Sequence, residues 1–533
     1  MEFDFVIVGA GSAGCALANR LSADGRFRVA LLEAGPKDTS PWIHIPVGYF
    51  KTMGNPNTDW LYETQPDPGI AGRSISWPRG RVLGGSSSIN GLLYVRGQPQ
   101  DYDAWAQMGN LGWSWADVLP YFKRSETWEG PNGTDVRGTD GPLSVQTSRL
   151  TREVIDSWVD AAVAAGYKRT EDYNDVDQEG VGYFQLTMTG GRRCSSAVAY
   201  LKPARRRENL NIITIAQTER VLIENGRAVG VRARIKGQMT DIRARCEIIL
   251  SAGAIGSPQI MMLSGLGSGD ELQAFGIDVH RDLPGVGKNL MDHLQARPVF
   301  KTDLSTINGE ASNLMRQALI AIQYAFTQRG PMTMAASLGT GFLKTEDQLE
   351  TPDIQFHIQP WSGENPADGP HKFSAFTTSV LQLRPESTGH LELTSPDFDD
   401  HPAIHPNYLA TDTDCRTIVK GIKVAREIAA HEPLKSHITE EHAPGAGVAE
   451  DDDDAILDWA RRTSVTIYHP TGTCKMGTDP MAVVDNKLRV HGIGGLRVAD
   501  CSIMPQIVSG NTNAPAIMIG EKASDMILED ARA

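Results

Sequence analysis

"FDFVIVGAGSAGCALANRL", residues 3–21, decides what kind of fold the chain opens with. A continuous apolar run, Phe5 to Val8, leads into Gly9, Gly11 and Gly14 and then into small and apolar residues. An uninterrupted apolar strand marks a parallel strand buried on both faces. The glycines permit a tight turn, close approach of a pyrophosphate and close helix–strand packing, and the helix N-terminus faces the phosphate charge. Working outward, "RVALLEAG" (28–35) reads as a second strand ending in Glu33, 19 positions beyond Gly14. A carboxylate there holds ribose hydroxyls and repels a 2′-phosphate, which argues against NADP. The pattern specifies a dinucleotide but does not separate FAD from NAD.

At 533 residues the chain exceeds what one compact core accommodates, so two domains or one large elaborated domain are expected. With 40% hydrophobic and 22% charged residues the composition is that of a soluble globular protein. The net charge of −14 is spread along the chain and argues against nucleic acid or an anionic membrane surface as the main partner. Cys15, Cys194, Cys246, Cys415, Cys474 and Cys501 form no CxxC pair and no metal-like spacing, so reduced thiols in a cytoplasmic setting are expected, and no metal. "MEFD" runs directly into the first strand, without a signal-type apolar core, and no apolar run reaches roughly 18 residues.

Three other stretches shape the expectation. "EDDDD" (450–454) precedes "AILDWARR"; acids first and arginines last match a helix dipole, so a helix start is expected there. "NLMRQALIAIQYAFTQRG" (313–330) reads as a core or lid helix closed by Gly330 and Pro331, its apolar character also suiting a peripheral membrane contact. Residues 374–395 alternate and turn like antiparallel strands, unlike the N-terminal third, which predicts a second sheet of another kind.

Two internal motifs carry more chemistry. "GRVLGGSSSINGLLYVRG" (80–97) sets glycines and three serines ahead of an apolar stretch, a backbone-rich cradle with hydroxyl donors. "EIILSAGAIGSPQIMMLSGLG" (247–267) is a buried strand entering a helix with Pro258 near its start. Each alone is ordinary. Taken with the opening motif, and with "PGVGKNLMDH" (284–293), "YHPTGTCKMG" (468–477), "LRVADCSIMP" (496–505) and "NTNAPAIMIGE" (511–521), they resemble the glucose–methanol–choline (GMC) family of FAD-dependent alcohol oxidoreductases from end to end. Gly80–Asp103 and Gly253–Gly267 match the family's two signature patterns. The nearest resemblance is to bacterial choline-dehydrogenase-like and alkanol-dehydrogenase-like enzymes.

The resemblance implies an α/β fold: a Rossmann-type FAD domain with a substrate domain on an antiparallel sheet flanked by helices. The FAD domain is expected from 1–155, 195–300 and 470–533, the substrate domain from 156–194 and 301–469. FAD contacts are implied at Gly9, Gly11, Ser12, Ala13, Gly14, Glu33, Ala34, Arg81, Gly84, Gly85, Ser86, Asn90, Gly91, Ala252, Gly253, Asp500, Asn511, Thr512 and Ala514. Some relatives attach the flavin through a histidine after the serines; here that place is Ile89, which has no nucleophilic nitrogen, so non-covalent FAD is expected.

The same resemblance places the catalytic base at His469 and its partner at Asn513, 44 positions on. An alcohol yields a hydride to flavin N5 only as its hydroxyl proton leaves, and histidine suits that proton transfer near neutral pH. Asn513 is expected to orient the alcohol oxygen without competing for the proton. Substrate contacts are expected at Tyr468 and Leu338, the latter standing where choline dehydrogenases carry a glutamate, so choline is expected to be a poor substrate. The implied activity is oxidation of a primary alkyl or aryl-alkyl alcohol to the aldehyde, with electrons passed to a quinone-type acceptor. An oxidase using O₂ and a non-redox lyase are the alternatives, and the sequence leaves the oligomeric state open.

Overall fold

The computed structural model describes residues 1–130, 134–311, 314–364 and 369–532. The chain opens with strand β1 (Glu2–Val8), helix α1 (Ser12–Leu21) and strand β2 (Val29–Glu33). β1 lies at the centre of a seven-stranded sheet, parallel to β2 on one side and to β3 (Gln238–Leu250) on the other. Phe5, Val6 and Ile7 are fully buried, as a continuous apolar strand covered on both faces requires. Leu210–Thr214 extends the sheet in parallel beyond β2, while Arg227–Ile235 and Ala216–Glu224 add antiparallel strands beyond β3.

Helix α2 (Gly253–Leu263) follows β3. The far end of the chain then completes this layer. β4 (Leu496–Val498) pairs in parallel with the last three residues of β3, and helix α3 (Asn513–Asp530) packs across α1. That crossing is close: a Cβ on Gly520 would stand 2.5 Å from the carbonyl oxygen of Ala13. Its polar anchor is the buried carboxylate of Glu521, which accepts from Arg20 at 2.8 Å, Arg124 at 2.7 Å and the Tyr200 hydroxyl at 2.7 Å.

The second sheet has eight strands. Its main path runs Ile438–Ala443, Val299–Thr302, Ala375–Gln382, Ile354–Gln359, Gly339–Leu343 and Gly180–Tyr183, antiparallel at every step. Leu294–Ala296 pairs with Ala375–Gln382 and with Val465–Thr466. Leu294–Ala296, Val299 and Phe300, expected in the nucleotide-binding part, pair within this sheet. Helices Glu153–Ala164 and Asp412–Ala429 contribute Ile155, Trp158, Ile418 and Ile422 to the apolar core it shares with Phe356 and Val380. The acidic run starts the helix Asp453–Thr463, where Asp452 accepts from the backbone of Ala455 at 2.9 Å.

The apolar segment read as a core or lid helix forms Leu314–Thr327; Asn313 lies outside the described residues. It is not a core element. Tyr324 is buried, but Met315, Leu319, Ile322 and Phe326 are 75%, 60%, 55% and 87% exposed, one stripe at helical spacing. Among the described residues no helix is long and apolar enough to cross a membrane.

Candidate active site

One cavity of about 880 Å³ runs from the glycine-rich turn after β1 to the antiparallel sheet. At the turn, Gly9 (φ +99°) admits no side chain, since a Cβ would lie 2.4 Å from the carbonyl oxygen of Ser251. Gly14 lets α1 approach its own turn: a Cβ would meet the Gly9 carbonyl at 1.9 Å. At Gly11 a Cβ would meet only the Ser251 carbonyl oxygen, at 3.9 Å, and Gly253 at the start of α2 looks into open space. No side chain caps the first turn of α1, so its N–H groups are left for an anion. Glu33 ends β2 in this wall; its oxygens accept from Ala10 N at 3.1 Å and Gly35 N at 2.8 Å, and burial raises its carboxyl to about 7. These residues fit a dinucleotide with free ribose hydroxyls.

The expected FAD contacts divide into two groups. Gly9, Gly11, Ser12, Ala13, Glu33, Ala34, Gly85, Ser86, Asn90, Gly91, Ala252, Gly253, Asp500, Asn511 and Thr512 line the cavity. Gly14, Arg81, Gly84 and Ala514 stand behind the wall. Arg81 lies over the Trp60 ring at 4.8 Å, Gly84 N donates to Ala10 O at 2.8 Å, and Ala514 is in the core. Asp500 serves the protein: it accepts from Gly253 N at 2.8 Å, Ser257 Oγ at 2.6 Å and Ser502 N at 2.8 Å, holding the start of α2 in place.

At the other end stands His469. The backbone before it is strained, since Tyr468 adopts φ +70°, a left-handed conformation unfavourable for a side-chain-bearing residue. Buried Asp292 clamps this corner by accepting from His469 N at 2.7 Å, Thr466 Oγ at 2.6 Å and Tyr408 OH at 2.5 Å. Arg79 donates to the Tyr468 carbonyl at 2.6 Å.

The ring of His469 sits in a hydrogen-bonded chain. His293 Nε2 is 2.8 Å from the carbonyl oxygen of Leu383, which only accepts, so that nitrogen carries the proton. His293 Nδ1 is then an acceptor, and His469 Nδ1 donates to it at 3.0 Å. His469 Nε2 is left with a lone pair, 3.0 Å from Asn511 Nδ2, which donates to it. The Asn511 carbonyl in turn takes a long bond of 3.5 Å from Gln355, which agrees with that amide orientation. Burial first, then His293, His357 and Arg79, hold His469 well below the ordinary histidine value. Burial likewise lowers His293 to about 4. The arrangement is a neutral imidazole with one basic nitrogen.

The expected pairing with Asn513 is corrected here. Asn513 is the first residue of α3 and turns toward the glycine-rich turn, where its Oδ1 accepts from Ser12 Oγ at 2.7 Å. Asn511, two residues earlier and before the helix begins, faces His469 instead. Leu338 is also displaced from its expected place: it is fully buried in the core under the antiparallel sheet, while its neighbours Ala336 and Ser337 line the cavity. Tyr468 does line the cavity. Asp292 and His293 end the stretch "PGVGKNLMDH", in which nothing local marks them; only their position in the fold gives them a role. His357, Gln295 and Gln359 line the same end, and His357 Nε2, Gln295 Oε1 and Gln359 Oε1 have no hydrogen-bond partner among the described residues.

Comparison with known proteins bears on this geometry. Two GMC oxidoreductase models match residues 3–295 and 385–520. The chain is 41% identical over 533 residues to the alcohol dehydrogenase [acceptor] of Pseudomonas putida, covering 99% of this chain and 96% of that one. It is 42% identical over 530 residues to the oxygen-dependent choline dehydrogenase of Brucella anthropi, with 99% and 96% covered. Among solved structures, pyridoxine 4-oxidase from Mesorbium loti superimposes with TM-score 0.88 at 31% identity, covering 98% of both chains. Formate oxidase of Aspergillus oryzae, a protein described through its FAD, superimposes with TM-score 0.93 at 27% identity, covering 100% of this chain and 99% of that one. With a dinucleotide site built from both ends of the sequence and both family models matched, the chain belongs to the GMC oxidoreductases, FAD-dependent flavoproteins of mixed α/β fold.

Proposed function

We propose that the protein oxidises a primary alkyl or aryl-alkyl alcohol to the aldehyde. The carrying observation is the fixed tautomer of His469: a lone pair on Nε2, beside the Asn511 amide, at the end of a cavity that fits FAD. FAD held in this cavity would supply the hydride acceptor. The chain's part is the proton. His469 Nε2 takes it from the alcohol hydroxyl, Asn511 Nδ2 orients the oxygen, and His293 accepts the Nδ1–H bond throughout, which stabilises the imidazolium as it forms. The relative named as an alcohol dehydrogenase [acceptor] supports this class of reaction.

For the second half-reaction the acceptor is a quinone-type molecule met at a membrane surface. The exposed stripe Met315, Leu319, Ile322 and Phe326 supports that reading, because such a face costs free energy in water and gains it in a lipid interface. A relative named oxygen-dependent favours the second reading, an oxidase releasing H₂O₂. Holoenzyme is mixed anaerobically with a panel of primary alcohols, then separately with air-saturated buffer and with a soluble quinone. Bleaching of the flavin is expected, followed by faster reoxidation by quinone. Reoxidation by air at an equal or greater rate, with stoichiometric peroxide, makes the protein an oxidase. Absence of bleaching with every alcohol removes alcohol oxidation and leaves a lyase on this fold.

A further inference from the structure

Arg297 carries a guanidinium whose charge is met by no carboxylate among the described residues. Arg96 and Arg137 share the carboxylate of Glu126, Arg497 bridges Glu247 and Asp530, and Arg426 pairs with Glu441. Arg193 lacks a carboxylate but donates to Ile43 O, Ser87 O and Asn90 Oδ1. Among the described residues Arg297 has one long bond, 3.5 Å from Nη1 to the backbone oxygen of Glu364, and no acceptor for its buried Nε. Among the described residues no carboxylate forms an ion pair with it; the side chain of Glu364 is exposed at the rim. Its guanidinium lies 5.7 Å from the Trp361 ring centroid.

Its position gives that unspent charge a meaning. Arg297 lines the same cavity as His469, on the antiparallel-sheet side, with Tyr49, Phe50 and Trp361. It follows the strand Leu294–Ala296, whose Gln295 is paired with Val465 just ahead of the His469 corner. Tyr468, the residue before His469, and Tyr49 are the charge-coupled neighbours of the guanidinium, which burial holds below the ordinary arginine value without neutralising it. A guanidinium with free N–H groups beside aromatic walls is a fork for a planar carboxylate carried on an alkyl or aryl body. It would repel a quaternary ammonium.

Resting on the alcohol-oxidation reading above, we infer that the preferred substrate is a primary alcohol whose far end carries a carboxylate, bound by Arg297 while the hydroxyl meets His469 and Asn511. The subsite sets KM and binding and takes no part in the chemical step.

The test uses holoenzyme and matched pairs: benzyl alcohol with 4-(hydroxymethyl)benzoate and its methyl ester, and hexan-1-ol with 6-hydroxyhexanoate. Flavin reduction is followed anaerobically. In at least one pair the carboxylate is expected to show a KM roughly 10- to 100-fold lower, the scale of a charge-assisted hydrogen bond to an enclosed group. Arg297→Met should abolish that difference and leave the neutral alcohols within about threefold, as expected of a group with no part in the chemical step. Neutral alcohols preferred in every pair, or a preference unchanged in Arg297→Met, overturns the inference. 4-Methylbenzoate, which has no oxidisable hydroxyl, is titrated into oxidised enzyme and read by perturbation of the flavin spectrum. Binding by the parent protein and loss of binding in Arg297→Met support the subsite even if no alcohol bleaches the flavin, in which case alcohol oxidation alone fails. Alcohols that bleach the flavin with no dependence on Arg297 sink the subsite and leave alcohol oxidation standing. Failure of 4-methylbenzoate to bind the parent protein counts against the subsite.

Discussion

The side-chain amide of Asn511 lies 3.0 Å from Nε2 of His469, whereas Asn513, two residues on, is bonded to Ser12 at 2.7 Å. The two asparagines line one cavity but do different work. Asn511 donates to the lone pair of His469 Nε2; Asn513 ties the start of α3 to the glycine-rich turn.

Substitution separates them. His469→Ala should slow anaerobic flavin reduction roughly 10²–10⁴-fold, the usual loss for a general base. Asn511→Ala should slow the same step by about 10-fold or more, with FAD content near normal. Asn513→Ala should act mainly through FAD retention. A larger rate loss at Asn513 than at Asn511, at equal FAD occupancy, would reverse the assignment.

His293 is a positioning residue. His293→Leu removes the acceptor for His469 Nδ1–H, lets the other tautomer form and should cost about 10²-fold in flavin reduction, toward the low end for losing the base itself. His293→Gln offers an amide oxygen in its place and should recover most of that loss. Equal rates for the two variants would show that the effect is packing and not tautomer control.

Buried histidines make stability depend on acid. Burial and His293 lower His357 to about 3, against roughly 6.5 in the unfolded chain. Its contribution is fully present above about pH 6.5; as pH falls below that, the unfolded state binds a proton that the native state refuses until about 3. His357→Phe, beside the Phe184 ring at 4.9 Å, removes this one group. Between pH 6.5 and 5 the parent protein should lose about 2 kcal/mol relative to the variant, from about 1.4 kcal/mol per pH unit. Urea midpoints measured for both across that range check it; parallel curves would contradict the assignment.

The flavin should be releasable. Ile89 is buried at the end of the serine turn and has no atom able to form a link to the isoalloxazine. Acid precipitation should leave the yellow colour in the supernatant and a colourless pellet.

The sequence by itself determined the β1–α1–β2 unit with Glu33, because a continuous apolar strand, three glycines and a carboxylate at fixed spacing are local signals that need no partner. It also determined the acid-capped helix at 453–463, for the same reason. The end-to-end motifs carried the family and, through it, His469. What only the tertiary structure decided are relations between residues far apart in sequence. The family resemblance points to Asn513, yet whether a side chain at the entry of α3 faces the imidazole or the glycine turn depends on how that helix crosses α1. The resemblance points to Leu338, yet the segment ahead of the strand Gly339–Leu343 packs that side chain into the core and leaves Ala336 and Ser337 along the cavity. His293 and Arg297 have ordinary local surroundings; their meaning lies in a carbonyl at Leu383 and in the lack of a carboxylate partner among the described residues. Local periodicity fixes which face of an element is apolar, but the pairing of polar groups buried between elements is set by packing over hundreds of residues, where an unmatched donor or acceptor costs more than any local preference can return.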